Sequence, residues 1–199
     1  MGNIPSAYSG GGSTVTVPGM LSNYLARTIE PDTTVNAGYT LGTSNTIYAG
    51  LVSFPASTLI TSLVIDFTTL GGTPTVNWGV VWSPATSLVA ASTANTPIAW
   101  GVGLKAWPFT AQETVPAGLY YIGIGMSQPT HTTVLSGIAS PQAEVQGQLT
   151  GTAPNYYRFI QVTGYTLTST PPAVGSNILT SYGGGTIASI TSGLFFGII

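Results

Sequence analysis

The chain has 199 residues, 43% of them hydrophobic and 4% charged, with a formal net charge of −2. Soluble domains usually carry about 25% charged residues; the charges here are Arg27, Lys105, Arg158, Glu30, Asp32, Asp66, Glu113 and Glu144. They make no basic stripe, which excludes nucleic-acid binding by phosphate neutralisation, and the lack of cysteine excludes disulfides and thiol chemistry.

The length suffices for one β-sandwich or barrel with a real core. Ten Tyr, six Phe and four Trp argue against disorder. The longest apolar runs, such as 194–199, are too short for a spanning helix. An outer-membrane barrel needs a signal peptide and repeated strands of about ten residues; Met1-Gly2-Asn3-Ile4-Pro5 has neither a basic start nor an apolar core. No membrane span is therefore expected. A nearly uncharged surface is a colloidal risk. Either Ser, Thr and Gly keep it soluble, or neighbours in an assembly cover it.

Residues 1–40 have the texture of an extended arm. Ser9-Gly10-Gly11-Gly12-Ser13 is a flexible joint. A short strand at 14–17 ends at Pro18-Gly19. Leu21, Tyr24, Leu25 and Thr28 share helical spacing, which predicts one or two helical turns over 20–29, with Ser22 as cap and Glu30-Pro31-Asp32 as the break. Residues 41–199 form one β domain in this reading. Strands are predicted at 47–54, stopped by Pro55, and at 59–70, with Leu63, Ile65 and Phe67 on one face and Val64 and Asp66 on the other. After the Gly71-Gly72-Thr73-Pro74 turn, Val76, Trp78, Val80 and Trp82 alternate with Asn77, Gly79, Val81 and Ser83. Ser83-Pro84-Ala85-Thr86 turns the chain into a returning strand at 87–92, and a polar connection containing Trp100 follows.

Residues 103–127 organise the rest: an aromatic strand, a bulged polar connection, a turn and a long strand, together hairpin-like. Pro108 marks an edge or a bend. In Val115-Pro116-Ala117-Gly118, Pro presets φ near −65° and Gly accepts φ > 0. Tyr120, Ile122, Ile124 and Met126 then face one way, and Leu119, Tyr121, Gly123 and Gly125 the other. A loop with His131, a strand at 134–138, a poorly structured 140–154, a strand at 156–162 and a long segment broken at Pro171-Pro172 and Gly183-Gly184-Gly185 lead to a closing apolar strand at 193–199. Short strands with turn signals every 8–12 residues and no normal helix predict an all-β fold, an antiparallel β-sandwich, jelly-roll-like, with an irregular N-terminal arm.

Chemistry is sparse. A Ser-His-Asp triad would need His131, the only histidine, with Asp32 or Asp66, and no Gly-x-Ser-x-Gly elbow exists. The carboxylates are scattered rather than clustered as metal ligands. Gly183-Gly184-Gly185 lacks the Lys and Ser/Thr of a phosphate loop. No catalytic, metal or cofactor-binding residue is expected, and no cofactor. Trp78 and Trp82 share a face with Val76 and Val80 and belong in a core. Trp100 and Trp107, near loop ends, are the candidates for stacking on a glycan. Tyr120/Tyr121 and Tyr156/Tyr157 place one ring on each sheet face, Asp66 faces solvent, and Arg158 has the reach to pair with a carboxylate across strands.

One ordered series of residues resembles a known family. Ala99-Trp100, Gly103-Leu104-Lys105 and Thr114-Val115-Pro116-Ala117-Gly118-Leu119-Tyr120-Tyr121 look like a jelly-roll structural module of tailed-bacteriophage virion proteins, notably in phages of actinobacterial hosts. The strand–turn–strand over 79–93 is similar to the hairpin that precedes these motifs. Asn155-Tyr156-Tyr157-Arg158-Phe159 and Gly193-Leu194-Phe195-Phe196 are similar to the module's last two strands. The resemblance spans about 40–199 and leaves out the arm. It implies a non-enzymatic protein on the exterior of a virion assembled in the host cytoplasm, a minor tail protein in preference to a capsid decoration. It also implies partnership with other virion proteins, homo-oligomers such as trimers, and in some relatives host-surface glycans. A carbohydrate-binding, host-attachment module is the alternative; a hydrolase built on His131 is the third reading.

Overall fold

The computed structural model describes residues 25–28, 37–41, 45–69, 74–95, 103–127, 134–138, 159–190, 193–194 and 196–199. Two short strands, β1 (Ala26–Arg27) and β2 (Ala37–Thr40), precede the long pair β3 (Thr46–Phe54) and β4 (Thr58–Thr69). Then come β5 (Val76–Trp82), β6 (Val89–Ser92), β7 (Gly103–Val115) and β8 (Gly118–Ser127). The chain closes with β9 (Val134–Ile138), β10 (Phe159–Thr163), a 3-10 turn at Ser181–Gly183, β11 (Thr186–Ser189), β12 (Gly193–Leu194) and β13 (Phe196–Ile198). No α-helix occurs among the described residues.

These strands build two antiparallel sheets packed as a sandwich. The first has the order β1-β13-β4-β9-β12, with β7 also on β4 and β2 also on β9; the second is β11-β10-β3-β8-β5-β6. The chain changes sheet between β2 and β3, β3 and β4, β4 and β5, β6 and β7, β7 and β8, β8 and β9, β9 and β10, and β11 and β12. This winding is jelly-roll-like, and the all-β sandwich expected from the alternation of apolar residues is the one observed.

Two local expectations change. The Pro116-Ala117 turn does not close a hairpin: β7 pairs with β4, whereas β8 lies between β3 and β5 in the other sheet. The turn is an arch between layers, with Gly118 at φ 154°. Within the stretch predicted as helical, Ala26 and Arg27 are extended and pair with Ile198 and Gly197; ladder bonds to a distant strand override weak local helical spacing.

Pro108 does mark an edge. In β7, Ile60 faces Glu113 and Ser62 faces Pro108, so Thr61 alone stands opposite residues 109–112. That bulge swings β7 toward the second sheet, where Phe109 bridges Thr93 and the Thr110 hydroxyl donates to the Ser92 carbonyl at 3.0 Å. One side of the sandwich is thereby stitched shut.

The core has two parts. Between the sheets lie Tyr48, Val52 and Phe54 from β3, Leu63, Ile65 and Phe67 from β4, Tyr120, Ile122, Ile124 and Met126 from β8, and Phe196 and Ile198 from β13. On the outer face of the second sheet lie Ile47, Ala49, Leu51, Val76, Trp78, Val80, Trp82, Tyr121, Ile160 and Val162, buried beneath Tyr165, Leu167 and Ile178. Every residue of β5 is buried as a result. Tyr120 and Tyr121 take opposite faces, as the alternation predicts.

Gly125 shows how tightly the outer layer fits. It pairs with Trp78, and a Cβ on Gly125 would fall within the Trp78 indole. The aromatic ring therefore occupies the space where the glycine lacks a side chain. Gly125→Val is expected to overpack this site at a cost of about 1–3 kcal/mol. The expected readout is a lower urea midpoint at an unchanged denaturant slope.

Candidate functional site

Residues 164–185 form a strap across the second sheet rather than a set of strands. Three phenol and indole groups fasten it. The Trp78 Nε1–H donates to the Thr168 carbonyl at 3.1 Å, and the Tyr165 hydroxyl to the Ile178 carbonyl at 2.7 Å. The Tyr182 hydroxyl donates to the Thr170 carbonyl at 2.7 Å. Tyr182 stacks on Trp78 with centroids 5.7 Å apart and meets Tyr165 edge-on at 6.1 Å. The Asn177 side-chain oxygen accepts from the Leu179 and Thr180 amides at 2.9 and 3.2 Å, an Asx turn that sets the strap's bend. The strap also covers the β6 edge: Val89 donates to Ser176 at 2.9 Å, and Gly175 donates to Val89 at 2.8 Å.

The second built feature is the seat of the N-terminal strand. The Leu25 amide donates to the Ile198 carbonyl at 2.7 Å and the Thr28 amide to the Phe196 carbonyl at 2.9 Å. Thr28 is 0% exposed. Its hydroxyl accepts from the Phe196 amide at 2.9 Å and donates to the Leu194 carbonyl. Its methyl rests on Gly50 of β3, where an added Cβ would collide with it. A single threonine thus bonds the last strands of the first sheet and packs on the second.

The electrostatics reflect the burial of three tyrosines. Burial pushes the Tyr165 hydroxyl above its ordinary range, and the neighbouring Tyr182 adds to the effect. Burial pushes Tyr182 up to about 12 and raises Tyr120. All three stay neutral across the physiological range. Among the described residues no group of His, Cys, Asp and Glu could hold a metal ion, and no helix is long and apolar enough to cross a membrane.

Of the sugar-stacking candidates, Trp107 is 8% exposed, and its ring packs in the inter-sheet core 6.2 Å from Phe67. That position gives it a packing role. Trp100, His131, Glu30, Asp32, Glu144, Arg158, Tyr156 and Tyr157 lie outside the described residues. Asp66 is half-buried on the β4 face opposite Leu63, Ile65 and Phe67. Trp78 and Trp82 are buried as expected, on the outer face of the second sheet. The residues missed in the sequence are Thr28, Gly50, Tyr165 and Tyr182. A usable signal existed for the last two: strands apolar on both faces require a covering layer. Comparison with known proteins gives no match to a family model, a curated protein or a solved structure.

Two outcomes follow from this geometry. Thr28→Val keeps the shape but strands the buried Phe196 amide, an expected loss of about 1–3 kcal/mol; Thr28→Ser, which keeps the hydroxyl, recovers much of it in the same denaturation assay. For Tyr182 the folded value of about 12 exceeds the ordinary 10.0, so the fold prefers the neutral phenol. Its contribution is complete below pH 10.0 and is lost as pH rises through about 12, and Tyr165 acts in the same direction. Denaturation midpoints are expected to fall across that alkaline window, with tyrosinate absorbance appearing as the strap releases.

Proposed function

We propose that this protein is a non-enzymatic structural protein displayed on the surface of a bacteriophage particle, a minor tail protein in preference to a capsid decoration. Residues 1–40 anchor it to neighbouring virion subunits. The observation that carries the reading is the order of the family-like residues along the sandwich. The strand–turn–strand over 79–93 spans β5 and β6; Gly103-Leu104-Lys105 opens β7; Pro116 to Tyr121 form the arch into β8; Phe159 opens β10; Gly193, Leu194 and Phe196 lie in the closing strands. A chain with 4% charged residues is further suited to having much of its surface covered in an assembly.

The carbohydrate-binding alternative requires an exposed ring, and Trp107 does not provide one. Purified protein, or antibody raised against it, is expected to co-sediment with intact particles of its source and to label their exterior in electron micrographs. Particles free of the protein would overturn the assignment.

A further inference from the structure

We propose that residues 164–185 form a cover that opens in one piece, lifting off the second sheet while both sheets stay folded. The inference is independent of the virion reading and follows from how the strap is joined to the sheet and to itself. β10 and β11 are antiparallel partners, and Thr163 and Thr186 are paired at the end of their ladder. The strap is inserted between these two residues, in the manner of a large Ω-loop whose ends lie side by side. A Cβ added to Gly164 would lie 3.5 Å from the Gly184 carbonyl oxygen, so the neck of the loop is narrow. Lifting the strap therefore leaves the β10–β11 ladder intact.

The neck is suited to turning. Gly164, Gly183 and Gly184 take φ of 89°, 91° and 92°, and glycine absorbs large backbone rotations at little steric cost. Bonds within the strap hold its shape. The Thr166 amide donates to the Tyr182 carbonyl at 3.0 Å and the Gly185 amide to the Leu179 carbonyl at 2.9 Å. The Tyr165 and Tyr182 hydroxyls reach the Ile178 and Thr170 carbonyls, also inside the strap. Different bonds tie it to the sheet: Trp78 to Thr168, Val89 to Gly175 and Ser176, and the Ile178 amide to the Ser87 carbonyl at 2.8 Å.

Tyr182 is the catch. It stacks on Trp78 and sits at φ 58°, ψ 29°, a left-handed conformation uncommon outside glycine. Such a backbone persists only where its surroundings hold it, and lifting the strap breaks the stack that does so. A strap stiffened by its own bonds releases its attachments together rather than one by one. The bared face carries Trp78, Trp82, Ile160 and Val162, so the open form is a minor population in water.

Residue-resolved amide hydrogen exchange on the full-length protein, at rising urea below the unfolding transition, tests this. The Gly175, Ile178 and Val89 amides, which bond across the strap's border, are expected to share one opening with one urea slope. That slope should lie well below the slope of the Ile122 and Ile124 amides in β8, which sits between β3 and β5. Two conservative variants separate the openings. Ile65→Val, between the sheets, weakens the closed and open forms alike. It is expected to speed β8 exchange roughly 2- to 10-fold and leave the strap amides unchanged. Ile178→Val, under the strap, weakens the closed form alone and is expected to speed both sets by a common factor. Strap amides that share the β8 slope, or that speed up with Ile65→Val, would show one cooperative unit and overturn the proposal. Unequal slopes among the three strap amides would show piecemeal fraying and overturn it too, as would strap amides unmoved by Ile178→Val.

Discussion

The constraint on which the structure depends is that its second sheet is apolar on both faces. One face, with Tyr48, Val52, Ile122 and Ile124, is covered by the first sheet. The other, with Trp78, Trp82, Ile160 and Val162, would present a large apolar patch to water if nothing lay on it. The strap over 164–185 covers it, and most of it is irregular because it must follow the relief of a sheet face, meeting an edge only where 175–178 bond to β6 and the residues before it. Its backbone carbonyls still need partners, and Trp78, Tyr165 and Tyr182 provide them while burying their own rings. The aromatic residues are therefore fasteners between the second and third layers.

The same demand explains how the edges are handled. Natural sheets often blunt their edges with charged side chains, and a chain with eight charges in 199 residues has few to spend. Covering and distortion take their place. The β6 edge is occupied by Gly175 and Ser176 of the strap, and the β13 edge by β1 and Thr28. Pro108 and the bulge over 109–112 interrupt β7, while β11 is only four residues long. Two of these devices use segments that are not core strands, so low charge and the presence of accessory segments are two aspects of one solution.

The regular part of this design was legible in the sequence because its signals are local. The alternation from Val76 to Trp82 and from Leu119 to Met126 assigned strands and faces, and Pro55 and Pro108 marked a stop and an edge. What stayed hidden depends on distance. Pro116-Ala117-Gly118 specifies a turn, but a turn does not say which sheet receives the next strand; that is decided by what β3 and β5 offer to β8. Leu21, Tyr24, Leu25 and Thr28 have helical spacing, yet Ala26 and Arg27 are extended, held by partners at the other end of the chain. The strap carries no period because Tyr165, Leu167 and Ile178 reach the sheet from irregular backbone. What the fold builds at its most closely fitted positions is the packing of the strap and of the N-terminal strand onto the sheets.

Gly50 and Gly125 make that last point physical. Each is a strand glycine at which a side chain would be expected to strengthen the sheet. At Gly125 the vacant volume is filled by Trp78, which secures the strap; at Gly50 it is filled by Thr28, which secures the N-terminal strand. The sheet gives up intrinsic strand propensity at these positions and gains two sockets, one filled by Trp78 of the neighbouring strand β5 and one by Thr28 beside β1. Thr28 is 0% exposed between the two sheets, and a hydroxyl held there must be hydrogen-bonded. The hydroxyl satisfies the Phe196 amide and the Leu194 carbonyl only while the strand remains in place. Removing the strand therefore exposes polar and apolar groups together, which makes the seat strongly selective for its occupant.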